Sequence, residues 1–354
     1  LSQRGDKIPN FRDVSRICGH QCNIEIKKLS SSALGNNTMK LFKQPGRFVL
    51  DLYLQIKREH SLESYKLDSV AEHFLDKHKL DVTPLQIFEW YESGDPDKRR
   101  QVAEYCLMDT VLPIDLINKL CIKPALIEMA KATWVPIDFL NERGQQIKCY
   151  SQITKTAHEL GYVLPNLPRS DISDYMGATV LEPNSGMYFE PITALDFASL
   201  YPSIMMAHNM CYTTIIRDKK NLSKYPDENF EEFNITLENG NKTTVYFAQG
   251  RKGILPHVLE YLKKERKLAK KRMKEATGFM KTVYDKQQLA YKVTMNSLYG
   301  FTGTANGMLP CLEIAGAVTC QGRIMIQQTK EYVEREYPGS EVVYGDTDSV
   351  MIKF

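Results

Sequence analysis

Val342-Val343-Tyr344-Gly345-Asp346-Thr347-Asp348-Ser349-Val350-Met351-Ile352 passes from one apolar run, through a Gly-Asp-Thr-Asp tip, into a second apolar run. β-Branched residues on both sides of a short polar turn predict two strands joined tightly. Side chains at i and i+2 of an extended segment point to the same side, so Asp346 and Asp348 are expected to converge. Holding two like charges together is costly unless positive charge lies between them. Divalent cations bridging phosphate oxygens would supply it. An Asp-rich turn accounts for the same residues more plainly, since Asp hydrogen-bonds its own backbone in turns. The hairpin alone leaves both readings open.

The rest of the chain bears on the choice. Its 354 residues exceed the usual size of one domain, so two or three units are expected. A hydrophobic content of 43% and a charged content of 25% exclude a disordered or fibrous class. No apolar run approaches the ~18 residues of a membrane span. The chain opens on Leu1 and stops at Phe354, just after the second strand of the hairpin, so it is expected to be an internal fragment. Eight cysteines are scattered, and only Cys18 and Cys22 lie close. No second pair completes a zinc set, so reduced structural thiols in an intracellular protein are expected. The net charge of +3 conceals an asymmetry. From Arg251 to Lys292 stand thirteen Lys or Arg against four acids, a local +9 that leaves −6 elsewhere. Such a block points to a polyanionic partner.

Residues 1–45 carry loop signals, Ser30-Ser31-Ser32 and Gly35-Asn36-Asn37-Thr38, and no periodicity that names a fold. Arg47–Leu52 looks like a strand. Leu67, Val70, Ala71 and Phe74 repeat at helical spacing, and Gly94-Asp95-Pro96-Asp97 caps another helix. Tyr105 and Asp109 share one face of that helix, as a surface pair or a functional one. Helical signals continue from Ile122 to Gln152 with a break at Val135-Pro136, and 165–175 reads as a linker. Val180-Leu181, Met187–Phe189 and Ile192–Phe197 look like strands. Asp196 closes the last of these just before a helix opening at Ser199, a favourable place for metal and phosphate or simply for a helix cap. A hairpin is expected around Asn239-Gly240. Leu255, Val258, Leu259 and Leu262 then form an apolar stripe between cations, and Gly278 marks the turn into a second basic helix over 281–299. Ile314–Val318 reads as a packed helix.

Three of these stretches resemble the polymerase motifs of family B DNA polymerases, in family order: Asp196-Phe197-Ala198-Ser199-Leu200-Tyr201-Pro202-Ser203-Ile204, Lys292–Gly300, and Tyr344–Ser349. Tyr105-Cys106-Leu107-Met108-Asp109 is similar to the third proofreading-exonuclease motif. Tyr175-Met176-Gly177-Ala178 is similar to the Tyr-x-Gly element, with Ala178 where many members carry Gly. The resemblance covers residues 40–354 and is nearest to delta-type catalytic subunits and to polymerases of large DNA viruses, including algal ones.

The resemblance implies a mixed α/β fold. The end of an RNase H-like exonuclease domain (1–122) would lead through a helical connector (123–175) to a palm with an antiparallel sheet. The palm would occupy 176–250 and 305–354, with two-helix fingers at 251–304. It implies DNA-directed polymerisation with two Mg²⁺ ions on Asp196, the Phe197 carbonyl and Asp348, and Asp346 close by. Arg266, Lys270 and Lys292 would grip the triphosphate with the amides of Ser199 and Leu200. Tyr201 would exclude a 2′-OH, and Asn296 and Tyr299 would line the nascent base pair. The implied partners are primer-template DNA, dNTPs and, for the complete protein, a sliding clamp or other processivity factor, at a nuclear or viral site of replication. The first two exonuclease motifs and a thumb are not found. Asp109 with Tyr105 is therefore expected to be a remnant, and the fragment to have little or no activity by itself.

Overall fold

A computed structural model describes residues 15–31, 35–165, 175–237, 240–305 and 307–354. Ser32, Asn239 and most of the linker-like stretch, 166–174, lie outside them. The chain forms two compact units, one of residues 1–127 and 136–142, the other of 128–135 and 143–354.

The first unit opens with an antiparallel hairpin, β1 (Asn23–Ser31) and β2 (Gly35–Lys43), where the sequence names no fold. Helices α1 (Leu52–Glu59), α2 (Leu67–Leu75), α3 (Pro84–Glu92) and α4 (Pro96–Lys119) follow. The strand expected over Arg47–Leu52 does not form. The Asp51 carboxylate accepts from the amides of Tyr53 and Leu54, which turns this apolar run into the entry of α1. Asp95 caps α4 in the same way, with Pro96 at the first helical position. Ile56, Val70 and Leu116 bring α1, α2 and α4 onto one small core. Helix α5 (Ile122–Thr133) and, after the break at Val135-Pro136, α6 (Ile137–Glu142) complete this part of the chain.

The second unit takes residues 128–135, which include the end of α5, continues with α7 (Gln146–Glu159) and contains two antiparallel sheets. Strands β3 (Val180–Leu181) and β4 (Ile192–Asp196) precede α8 (Leu200–Ala207). Then come β5 (Ile215–Ile216), the hairpin β6 (Phe230–Thr236) and β7 (Lys242–Ala248), and helices α9 (Ile254–Glu275) and α10 (Gly278–Thr302). Helix α11 (Leu312–Glu336) leads to β8 (Glu341–Asp346) and β9 (Ser349–Lys353). The first sheet has the order β3-β8-β9-β4 and the second β5-β7-β6. Because β3 and β4 occupy opposite edges, residues 182–191 must cross from one edge to the other. This is why Met187–Phe189, strand-like in sequence, are irregular and Phe189 is 88% exposed.

The expected stripe on α9 is the core's spine: Leu255, Val258, Leu259 and Leu262 are all buried. They pack with Phe247, Met295 and Leu298 into the principal core. Helix α10 starts three residues earlier than expected because Gly278 itself, at φ +56°, makes the turn. The Ile314–Val318 segment of α11 is fully buried, as its apolar composition indicates. No described helix is long and apolar enough to cross a membrane.

Candidate active site

The three acids meet at one end of the four-stranded sheet. Asp346 of β8 and Asp196 of β4 are each paired with Ser349 of β9. Cross-strand partners project from the same face, so Asp346, Ser349 and Asp196 form a row. Two interstrand spacings separate the outer pair, roughly 10 Å between backbones. Asp348 stands in the turn beside that row. The turn is not the extended segment assumed from the i, i+2 spacing. Thr347 is left-handed at φ +54°, and the Asp348 amide donates to the Asp346 carbonyl at 2.6 Å. The chain reverses between them, and the Thr347 hydroxyl donates to the Asp346 carboxylate at 2.8 Å. The Phe197 amide donates to the Asp348 carbonyl at 2.8 Å, fastening the end of β4 to this turn.

The electrostatics follow. Partial burial, then the Asp196 carboxylate, and in smaller measure Asp346, hold the Asp348 carboxyl above the usual aspartate range. Cationic charge placed among them would be favoured. The donors are hard oxygens, suited to Mg²⁺. Among the described residues no group of three or more His, Cys, Asp or Glu side chains is set to hold a metal by itself. A cation taken up between such carboxylates would draw the rest of its shell from water or other oxygens, as Mg²⁺ usually does.

Asp196 does not cap α8; the cap is Ser199, left-handed at φ +54° and without a side-chain capping bond. The amides that open α8, Leu200 among them, are therefore not bonded by a capping side chain. Leu200 is buried and Tyr201 half-buried beside Tyr299, with ring centroids 4.3 Å apart at 34°. Burial foremost, then the Asp348 carboxylate, raises the Tyr201 phenol, so this ring lies within the field of the acids. The Tyr299 hydroxyl is 3.2 Å from that of Tyr175. Burial also pushes the Tyr299 phenol up.

Helices α9 and α10 pack along each other. Lys292 and Asn296 stand one turn apart on α10, both exposed, with Tyr299 on the same side. Arg266 and Lys270 are one turn apart on α9. Lys270 is exposed, whereas Arg266 is half-buried and its Nε, fully buried, has no hydrogen-bond partner. A buried guanidinium N–H left unpaired is costly, and an anion brought to it would supply the missing acceptor.

In the first unit, Tyr105 and Asp109 share a face of α4 as expected, and a residue that the sequence does not signal joins them. Lys79 Nζ donates to the Tyr105 hydroxyl at 2.9 Å and forms an ion pair with Asp109 Oδ1 at 3.1 Å. The Tyr105 hydroxyl first, and the Asp109 carboxylate with it, hold Lys79 above the usual lysine range. A cavity of about 760 Å³ between β2, residues 44–51, α1 and α6 of this unit includes none of the three. Thr319 and Arg323 of α11 are also absent from the sequence reading, because one threonine and one cation among the small and apolar residues of 312–326 leave no pattern; their contacts are described below.

The sequence model of DNA polymerase family B matches residues 135–354. This chain belongs to that family. It is 42% identical over 98% of its length to the DNA polymerase delta catalytic subunit of Drosophila melanogaster and 43% identical, again over 98%, to that of Arabidopsis thaliana; it covers 32% of each. It is also 42% identical to the DNA polymerase of Paramecium bursaria Chlorella virus NY2A, over 99% of this chain and 39% of the viral one. The chain thus spans about a third of the length of these curated relatives. Helices and antiparallel sheets mixed within one unit are consistent with a family B polymerase domain.

Proposed function

We propose that this chain is the part of a DNA-directed DNA polymerase that adds deoxynucleotides to a primer 3′-OH. In this reading β3, β4, β8 and β9 belong to the palm and α9–α10 are the fingers. The observation that carries it is the row Asp346–Ser349–Asp196, with Asp348 in the adjoining turn and the Phe197–Asp348 backbone bond locking the two strand ends. Asp196, Asp348 and the Phe197 carbonyl would hold two Mg²⁺ ions, with Asp346 adding charge. When bound, the metal lowers the pKa of the attacking hydroxyl and neutralises the triphosphate and leaving pyrophosphate.

The chain's own groups position the substrate. Arg266, Lys270 and Lys292 take the phosphates, guided by the free Nε of Arg266. The amides of Ser199 and Leu200 meet the β- and γ-phosphates at the start of α8. Tyr201 lies under the sugar, where its ring leaves no space for a 2′-OH, and Asn296 and Tyr299 face the nascent pair. Base pairing selects the nucleotide, so protein contacts to primer-template go to backbone and minor groove. Lys79, Tyr105 and Asp109 belong to a proofreading site of which this chain carries one part. A processivity factor is the expected partner of the complete protein, at a nuclear or viral site of DNA replication.

Primer extension by the full-length protein with Mg²⁺ and four dNTPs tests this. Asp196→Asn is expected to lower the rate by about three orders of magnitude or more. Extension at near the parental rate would overturn the assignment.

A further inference from the structure

Helix α11 carries two polar side chains that turn onto one short piece of backbone. Thr319 Oγ1 donates to the Met176 carbonyl at 2.9 Å. Arg323 Nη1 donates to the same carbonyl at 2.8 Å and to that of Gly177 at 2.6 Å. On its other side the segment is zipped to β6: the Met176 amide donates to the Thr236 carbonyl at 3.2 Å, and Tyr175 bridges to Leu237. Residues 176–179 have no regular structure of their own, so these bonds decide where Tyr175 stands.

Tyr175 reaches in toward Tyr299 because residue 303 is glycine. A Cβ there would lie 2.4 Å from the Tyr175 hydroxyl oxygen. The Tyr175 hydroxyl meets that of Tyr299, whose ring lies on Tyr201. Gly322, next to Arg323, makes room for Tyr201 in turn; a Cβ at 322 would stand 3.2 Å from its Cε1. One face of α11 thus bears on the tyrosine stack at both ends: through Arg323, Met176-Gly177 and Tyr175 to Tyr299, and through Gly322 to Tyr201.

Taking Tyr201 as the group that senses the sugar, as proposed above, we infer that Arg323 is a positioning residue for nucleotide selection. It fixes Tyr175 by holding two successive carbonyls, and Tyr175 sets how Tyr299 presses on Tyr201. The planar guanidinium suits this task because its donors are fixed relative to one another and can hold neighbouring acceptors together, which a single ammonium does less well. Arg323 touches none of the reacting atoms; its effect passes through backbone and stacked rings.

The experiment is single-nucleotide incorporation by the full-length protein, comparing a dNTP with the matching rNTP. The proteins are the parent, Arg323→Ala, Arg323→Lys, Tyr175→Phe and Tyr201→Ala, with primer-template affinity measured alongside. Arg323→Ala is expected to lower the dNTP-over-rNTP ratio of kcat/KM about tenfold, the equivalent of one lost contact. The change should lie mainly in a lower KM for the rNTP, with primer-template Kd unchanged. Arg323→Lys should recover part of the ratio. Tyr175→Phe, which removes one hydroxyl, should shift the ratio in the same direction. Weaker primer-template binding with an unchanged ratio would overturn the inference, because Arg323 would then be acting on DNA. An equal fall in kcat for both nucleotides with a lower Tm would overturn it too, as a role in stability alone. If Tyr201→Ala leaves the ratio unchanged, the sugar-sensing reading itself fails. If Tyr201→Ala lowers the ratio and Arg323→Ala does not, only the present inference fails.

Discussion

The Phe197 amide and the Asp348 carbonyl are joined by a 2.8 Å hydrogen bond, one residue from Asp196 and within the turn that carries Asp346. The turn that carries the acids is thereby held in place before any cation arrives, by this bond, by the Asp348–Asp346 backbone bond and by the Thr347 hydroxyl, which donates to the Asp346 carboxylate at 2.8 Å. Such preorganisation costs stability in the metal-free protein, because Asp348 is ionised against its neighbours. Asp348→Asn removes one of the opposed charges. In metal-free buffer the full-length variant is expected to melt at or above the parental Tm, by less than about 1 kcal/mol given the group's exposure. Its primer extension should nevertheless fall by roughly three orders of magnitude or more. Added Mg²⁺ should raise the parental Tm more than that of the variant. Thermal melts with and without Mg²⁺ check the first and third points, and an extension assay the second.

Arg266 separates from the other cations of α9 by its unpartnered, buried Nε. Lys267, the next residue, is exposed and free to keep its charge in water. Arg266→Ala should therefore raise KM for dNTP by about ten- to a hundredfold, the scale of a lost charge-assisted contact. Lys267→Ala should stay within about twofold, an exposed charge being worth well under 1 kcal/mol. Steady-state kinetics of the two full-length variants decides. Equal effects would mean that α9 acts through its total charge rather than through one placed guanidinium.

The thiols provide a check on the fold that is independent of catalysis. Burial pushes Cys149 and Cys311 up to about 12 and raises Cys211 as well. At pH 8 a thiol near 12 has about one part in 10⁴ as the reactive thiolate. Iodoacetamide at that pH should spare all three in the native full-length protein and modify them once denaturant is added. Mass spectrometry of the digested protein reads the outcome. Rapid native labelling of Cys211, whose sulfur accepts from the Leu255 amide at 3.2 Å, would show that α9 does not start where described.

Elements whose residues carry their own periodicity are legible in the sequence. The α9 stripe, the packed start of α11 and the β8–β9 hairpin each follow from a few neighbouring side chains. Arg47–Leu52 misleads because apolar content alone does not outweigh one Asp able to cap a helix. Met187–Phe189 misleads because whether an apolar run pairs depends on where its neighbours sit in the sheet. The acid row is legible as composition but not as geometry. The spacing of Asp346 and Asp348 suggests an extended segment, whereas a left-handed Thr347 reverses the chain between them. Lys79 and Arg323 leave no local trace at all. Their partners lie 26 and 30 residues away in one case and 146 and 147 in the other, and only folding makes them neighbours.

Lys79 gives the last prediction. Its ammonium hydrogen-bonds Tyr105 and pairs with the buried Oδ1 of Asp109 at 3.1 Å. That oxygen is compensated by the lysine, so removing the lysine leaves a half-buried carboxylate exposed to its own desolvation. If Asp109 belongs to a proofreading site in the full-length protein, Asp109→Ala should abolish 3′-5′ degradation of single-stranded DNA while extension survives. Lys79→Met should weaken degradation about ten- to a hundredfold by letting the Asp109 carboxylate and Tyr105 hydroxyl move independently. It should leave extension within about twofold, because Lys79 and the polymerase acids belong to different compact units. Degradation and extension are measured on the same preparations. Loss of both activities in Asp109→Ala would argue for a single shared site, and unchanged degradation in Lys79→Met would leave the lysine a surface partner of α4.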